Sequence, residues 1–265
     1  MNRFMRKLHR FGIGRILGLL LLLNLIALRV WDPTPVEALR HRAFDVYQLI
    51  QPRIAPLNAV TIVDIDESSL RSLGQWPWPR TIMADMVTRI TEMGGVAIGF
   101  DVLFPEPDRG SPDVAAETFR GLDSDTREKL RRLPGNDEVF ASAIRESKVI
   151  LGQSGYRVSG SAPVPGAGDQ TRLATIGADP RPFLVRFPHL LRNLPVLEDA
   201  AQGRGIFSII PEGDGTIRRI PLVAMAGGTM IPSLALEMLR VVTGSGAILV
   251  KSDDGGGVEC RSAGA

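Results

Sequence analysis

Acidic side chains gather in two short segments of the chain, DIDE at 64–67 and FDVLFPEPD at 100–108. The first follows a β-branched run from Ala59 to Ile65, and the second overlaps an apolar run from Val96 to Val102. Both runs predict strands buried on both faces of a sheet. If the two strands are parallel, their carboxyl ends lie at the same edge, where open α/β sheets bind ligands. The pattern therefore predicts a polar crevice between the two segments.

This predicted crevice combines acids with one arginine and two tryptophans. Its candidate ligand-binding residues are Asp64, Asp66, Trp76, Trp78, Arg80, Asp101, Glu106 and Asp108. A hard cation such as Mg²⁺ or Ca²⁺ prefers several carboxylate oxygens. If a metal binds, we expect Asp64, Asp66 and Asp101 to be its ligands.

A purely structural interpretation accounts for the same residues. Asp66 then caps a short helix from Ser68 to Leu73, while Asp64 or Asp101 pairs with Arg80. The loop WPWP at 76–79 is stiff, because proline restricts both itself and the preceding residue. Its tryptophans form either an aromatic lid for a ligand or partner, or a packed plug over the end of the sheet. The sequence leaves both interpretations open.

No other pattern in the chain points to chemistry. The three histidines lack metal-ligand spacing, no local rule assembles a Ser-His-Asp set, and no glycine-rich phosphate loop follows a strand. The pair Asp214-Gly215 is typical of a hairpin turn. The single cysteine, Cys260, forms neither an internal disulfide nor a cysteine-based zinc site. We therefore expect no catalytic residues and no cofactor.

The N-terminal segment predicts a membrane anchor. Residues 1–15 hold five basic residues and no acid, whereas the whole chain has a net charge of +2, so the remainder is net negative. That distribution argues against nucleic-acid binding. The apolar segment from Phe11 to Val30 is about 30 Å long as a helix, one hydrocarbon thickness, and Trp31 follows as an interfacial anchor. No small-residue cleavage site follows directly, which favours an uncleaved signal-anchor over a cleaved signal peptide or a buried core helix.

The basic cluster before the span predicts a cytoplasmic N-terminus, an inner-membrane location and an extracytoplasmic (periplasmic) main domain.

A helix from Val36 to Gln51 carries an apolar stripe that packs either on the domain or on a second copy of itself. The expected organisation is a cytoplasmic basic tail and transmembrane signal-anchor helix at 1–31, a juxtamembrane stalk helix at 32–53, the extracytoplasmic domain at 54–251 and a flexible tail at 252–265.

The exported part alternates strands and helices. Strands are predicted at 59–65, 96–102, 149–152, 206–210, 217–226 and 247–250. Helices are predicted at 81–93, with Thr81 as cap, at 136–147, with Asn136 as cap, at 233–242, and once or twice within 111–133. A hairpin turn is expected at 211–216, and a low-complexity loop at 159–169. This order predicts one α/β domain with a mostly parallel central sheet and helices on both faces.

Three long segments, 60–80, 94–113 and 205–240, resemble the second type of CHASE domain. That family comprises extracytoplasmic sensory domains of bacterial adenylate cyclases, histidine kinases and serine/threonine kinases. The resemblance implies a module that is no enzyme itself and passes a stimulus to a cytoplasmic output. No later apolar run of membrane length and no cyclase or kinase motif occurs here, so we expect the output outside this chain.

The resemblance implies as partners the membrane, a small-molecule or protein stimulus of unknown identity, and a second copy of the chain in a homodimer. Two other functions stay open from the residues. One is a structural ectodomain that only mediates dimerisation. The other is a periplasmic metal-dependent hydrolase built on Asp64, Asp66 and Asp101, for which no nucleophile or further base is identifiable.

Overall fold

The computed structural model describes residues 13–52, 59–157, 173–253 and 258–262. The chain divides into two compact units, Met1–Asp64 and Ile65–Ala265. The low-complexity loop predicted at 159–169 lies outside the described residues.

The first unit contains two helices, α1 (Ile13–Trp31) and α2 (Thr34–Ile50). Within α1, Gly14–Trp31 is the one described helix that is long and apolar enough to cross a membrane. Its leucines are exposed rather than buried in protein, as lipid-facing side chains would be. The helix α2 confirms the predicted stalk helix and begins two residues before Val36, since Pro35 is tolerated in a first helical turn.

The predicted strand from Ala59 to Ile65 is wrong. Residues 59–66 have no regular secondary structure, and Ile62 is 88% exposed. β-Branched residues favour an extended backbone, but a strand also needs a neighbouring strand that bonds its N–H and C=O groups. No described strand pairs with this segment, so the predicted strand–helix–strand unit at 59–102 does not form.

The second unit alternates helices and strands, which confirms the α/β class. Its helices are α3 (Glu67–Leu73), α4 (Arg80–Glu92), α5 (Pro112–Thr118), α6 (Ser124–Arg132), α7 (Asn136–Arg145), α8 (Pro195–Ala200) and α9 (Leu234–Val242). Its strands are β1 (Ile98–Phe100), β2 (Val149–Tyr156), β3 (Leu173–Gly177), β4 (Val185–Phe187), β5 (His189–Leu191), β6 (Gly203–Ile206), β7 (Val223–Ala226), β8 (Thr229–Pro232), β9 (Ile248–Ser252) and β10 (Val258–Ser262). A 3₁₀ turn lies at Arg181–Phe183.

The described strands are distributed among three sheets rather than gathered in one. In the largest sheet, β2 pairs in parallel with β1 on one side and β6 on the other, and its carboxyl end pairs antiparallel with β5. The strands β3, β9 and β10 form a second sheet, and β4, β7 and β8 a third, each with one parallel and one antiparallel pairing. The strand β10 lies in the region expected as a flexible tail.

Helices cover both faces of the largest sheet, as predicted. On one face, α4, α7 and α8 bury the main core, in which Phe100, Phe140 and Leu151 are packed. On the other face, glycines let α9 approach the strands closely. A Cβ at Gly205 would lie 2.5 Å from the Cα of Leu234, a distance that excludes any side chain there.

Local signals at helix and turn ends are confirmed in part. Ser233 caps α9 by accepting a hydrogen bond from the Leu236 N–H at 3.2 Å. The predicted turn at 211–216 forms, with Glu212 N–H bonded to Thr216 O at 3.0 Å. The strands on either side of it, β6 and β7, pair with other strands and not with each other. The turn sequence therefore predicted where the chain turns, but not which strands pair with each other.

Candidate functional site

The guanidinium of Arg80 is buried in the domain and is the centre of the predicted crevice. Its Cζ lies 4.5 Å from the centroid of the Phe104 ring, and its Nε lies 3.3 Å from Asp137 Oδ1. One terminal nitrogen donates to the carbonyl of Glu106 at 3.2 Å. A buried cation is costly unless it is paired and hydrogen-bonded, so Arg80 holds the loop after β1 and the start of α7 to the start of α4.

Asp108 completes this arrangement and caps α4 from a distance. Its carboxylate accepts hydrogen bonds from Arg80 N–H at 2.7 Å, Gly110 N–H at 2.8 Å and the Asn136 side chain at 2.8 Å. Burial by itself would raise the pKa of Asp108, but these hydrogen bonds and the charge of Arg80 outweigh it and lower the pKa below 3.8. The cap predicted at Thr81 is wrong, because α4 begins at Arg80 and Asp108 takes the N-terminal N–H.

We call Arg80, Glu106, Asp108, Asn136 and Asp137 the Arg80 network. The sequence predicted three of these five residues. Glu106 contributes only its carbonyl, since its exposed carboxylate lies 3.3 Å from the exposed Arg109 side chain.

Asn136 and Asp137 were missed as members of the network. Asn136 was expected only as a helix cap, yet Gly135 holds that position. The polar NDE sequence at 136–138 was the available signal, but nothing local says which partner it meets. All five members bond to one another or to neighbouring backbone, and a ligand role for them stays a prediction.

Two of the remaining acids of the predicted crevice, Asp66 and Asp101, make none of the hydrogen bonds of the Arg80 network. Asp66 caps α3, accepting from the Ser69 hydroxyl at 2.7 Å and the Ser69 N–H at 2.8 Å, and these bonds lower its pKa. Asp101 is exposed, and Asp64 lies exposed in the first unit. The predicted pairing of Arg80 with Asp64 or Asp101 is replaced by pairing with Asp137. Within the described residues, no group of three or more His, Cys, Asp or Glu is placed to hold a metal ion.

The two tryptophans of the WPWP loop differ in burial. Trp78 is 5% exposed, packs in the main core and donates its Nε1–H to Gly74 O at 2.8 Å. Trp76 is 36% exposed, and its ring meets that of Trp78 edge to face with centroids 5.7 Å apart. Trp78 is thus the packed plug of the structural interpretation. A ligand contact by Trp76 stays a prediction.

A second buried polar group, which we call the Glu198 cluster, was missed by the sequence. Its members are Gln153, Arg192, Asn193, Glu198 and Arg204. Glu198 is 2% exposed and accepts from Gln153 Nε2 at 2.7 Å, from Asn193 N–H at 3.1 Å and from an Arg192 terminal nitrogen. No spacing rule connects these residues, and no element had been predicted between 173 and 205.

Phe104 joins the two polar groups. Its ring lies under the Arg80 guanidinium, and its N–H donates to Asn193 Oδ1 at 2.8 Å. The Asn193 side chain donates in turn to Gly152 O at 2.9 Å on β2. The loop after β1 is therefore fixed from both sides, at the carboxyl end of the parallel strands.

The family profile of the CHASE2 domain matches residues 17–259, nearly the whole chain. The chain belongs to the CHASE2 domain family. This confirms the resemblance carried by segments 60–80, 94–113 and 205–240. CHASE2 domains are sensory domains of signalling receptors. Comparisons with curated proteins and with solved structures gave no match.

The lowered pKa of Asp108 makes the stability of the CHASE2 domain pH-dependent. Ionised Asp108 stabilises the fold above the ordinary carboxyl pKa, and this contribution is lost as the pH falls towards its lower folded-state pKa. We expect Asp108→Asn to cost about 1–3 kcal/mol at pH 7, and to cost progressively less as the pH falls below about 4. Unfolding of the purified chain at several pH values measures this difference. Asp101→Asn, at an exposed carboxylate of the same loop, is the control; a pH-independent cost of Asp108→Asn would contradict the assignment.

Proposed function

We propose that this chain is the extracytoplasmic sensory part of a bacterial membrane receptor, and that it conveys a stimulus to a cytoplasmic cyclase or protein kinase. The observation that carries the proposal is the CHASE2 match over residues 17–259. The buried Arg80 network supports it, because its acids are engaged by protein groups as in a structural core rather than poised as a nucleophile and base. The domain itself then performs no catalysis.

The location in this proposal rests on the N-terminal segment. Four basic residues precede α1 and Arg15 lies in its first turn, and Gly14–Trp31 is of membrane-spanning length. Basic residues are retained on the cytoplasmic side, which supports a periplasmic location for the unit from Ile65 onward in a bacterium with two membranes.

Alkaline phosphatase folds actively only outside the cytoplasm, so fusions to it report this topology. A fusion after Asp253 is expected to be active in a bacterial host, and a cytoplasmic reporter at the same point inactive. A matched fusion lacking residues 1–31 should reverse both results, because it has no export signal. An active cytoplasmic reporter on the full chain would contradict the topology.

The sensory role is tested in a chimeric receptor. Residues 1–251 replace the corresponding region of a CHASE2-containing adenylate cyclase whose activity responds to its environment. We expect cyclic AMP production to change across a panel of pH, osmolarity and nutrient conditions, because the grafted domain retains its own stimulus. The parent receptor and a chimera without residues 54–251 are the controls. A chimera that is expressed and active but constant in every condition in which the parent responds would support a structural ectodomain instead.

We further propose that α2 pairs with the α2 helix of a second copy. Four large side chains, Leu39, Phe44, Tyr47 and Ile50, are exposed along this helix, and Leu39 and Tyr47 are about 70% exposed. A row of this size on a solvated helix is favoured when another apolar surface covers it. Pairing of juxtamembrane helices also offers a direct way to transmit a stimulus to the membrane.

Cysteine cross-linking in membranes tests this pairing. In a Cys260→Ser background, single cysteines at Leu39, Tyr47 and Ile50 should form disulfide-linked dimers, because these positions share one helix face. Cysteines at Ala38 and Asp45, on the opposite face, are the matched controls and should remain monomeric. Equal cross-linking on both faces would indicate random collisions, and none on either face would contradict the dimer.

A further inference from the structure

The Glu198 cluster holds more positive charge than its buried carboxylate requires. Arg192 donates to Glu198 Oε2 and thereby neutralises it. The nearest terminal nitrogen of Arg204 lies 4.0 Å from the same oxygen, beyond hydrogen-bonding distance. The guanidinium of Arg204 makes no hydrogen bond to any of the described residues, although its side chain is only 18% exposed. Two arginines against one glutamate leave the cluster with a net charge of +1.

Three buried polar atoms of the cluster also lack a partner among the described residues. They are Gln153 Oε1, Arg192 Nε and Arg204 Nε. Gln153 is fully buried, and its Nε2 donates to Glu198 at 2.7 Å, so the amide cannot turn to satisfy Oε1 without losing that bond. Buried polar atoms in native proteins are normally satisfied by protein, water or a ligand. A ligand that satisfied these atoms would accept hydrogen bonds from two N–H groups of cationic side chains and would donate one to a neutral acceptor.

The position of the cluster is one where α/β sheets bind ligands. Gln153 ends the parallel register of β2 and lies opposite Ile206, while Arg204 lies opposite Leu151. Neighbouring residues in register share a face of a parallel sheet, and so do residues two apart along a strand. Gln153 and Arg204 are therefore on the same face of adjacent parallel strands, and Gln153 lies at the carboxyl end of their pairing.

The Arg80 network makes the contrast clear. There the arginine is paired with Asp137 and bonded to the carbonyl of Glu106, and Asp108 accepts three hydrogen bonds. Both groups lie beside Phe104 in the same domain. Arg80 Nε and Asp137 Oδ1 are also buried without a hydrogen-bond partner, but the carboxylates of that network outnumber its one arginine. Of the two groups, only the Glu198 cluster combines surplus positive charge with an unpartnered acceptor in a fully buried side chain.

We propose that the Glu198 cluster is a binding site for a small anion that carries a hydrogen-bond donor. Guanidinium groups recognise carboxylate and phosphate through paired N–H bonds, which would occupy Arg192 and Arg204. Gln153 Oε1 requires an O–H or N–H from the ligand. A hydroxycarboxylate and monohydrogen phosphate share this chemistry, whereas acetate and sulfate offer acceptors alone.

Binding is measured directly, by calorimetry on the purified full chain in detergent at pH 7.5 and constant ionic strength. The four probes are glycolate, acetate, inorganic phosphate and inorganic sulfate. We expect saturable binding of glycolate or phosphate, and the one that binds identifies the ligand as a carboxylate or a phosphate. The matched anion without a donor should bind at least about tenfold more weakly, because it leaves one buried acceptor without a hydrogen bond. Calorimetry measures the heat of binding itself. A thermal-stability assay would also report the general stabilisation that phosphate and sulfate give because they are excluded from protein surfaces.

Variants then assign the binding to the cluster. Arg204→Gln should abolish saturable binding. Arg204→Lys keeps the charge but loses the paired N–H groups of the guanidinium, so it should weaken binding about tenfold. Arg89→Gln removes the same charge from an exposed position of α4 and should leave binding unchanged. Should Arg204→Gln fail to fold, the Lys variant carries the test.

Three results would overturn the proposal. The first is no saturable binding of any of the four anions, the second is binding that both Arg204 variants retain, and the third is equal binding of glycolate and acetate or of phosphate and sulfate. The experiment uses the isolated chain and no signalling output, so its result is independent of whether the domain acts as a sensor.

Discussion

The buried guanidinium of Arg80 is the constraint around which the domain is arranged. A cation in an apolar core must be neutralised and hydrogen-bonded, and its partners come from two separate parts of the chain. The loop after β1 supplies Asp108 and a carbonyl, and the first turn of α7 supplies Asp137 together with Asn136, which donates to Asp108. Meeting this requirement fixes where α4 begins, how the loop returns across the sheet and how α7 packs against α4.

Phe104 extends this constraint to the other side of the loop. Its ring contacts Arg80, while its backbone is bonded to Asn193 and Leu194 just before α8. The carboxyl end of the parallel strands is thus flanked by two polar groups, the Arg80 network and the Glu198 cluster. Both contain buried atoms without a hydrogen-bond partner, and they differ in charge, because carboxylates outnumber the arginine in the first and arginines outnumber the carboxylate in the second.

Membership of the CHASE2 family identifies a sensory class but not a stimulus, because function depends on the site rather than on the fold. In this domain, two of the five acids of the predicted ligand site cap helices. Asp66 caps α3 and Asp108 caps α4, the latter across 28 residues of sequence. Surplus charge is found instead around Glu198, in a part of the chain without any motif. The clearest local sequence patterns in this domain thus correspond to structural contacts. The candidate ligand-binding residues lie where the sequence has no recognisable pattern.

The sequence by itself determined the features whose causes act within a few residues. These are the apolar helix α1, the helix α2, the cap at Asp66, the turn at 211–216 and the alternation that places the chain in the α/β class. Only the tertiary structure decided which segments pair and which polar groups meet. The β-branched run at 59–65 has the composition of a strand, yet a strand forms only when another strand bonds its backbone. Likewise, nothing in the local sequence of Arg80 selects Asp137 over Asp101, and nothing near Glu198 indicates Gln153, because burial and long-range pairing depend on contacts between residues far apart in the chain.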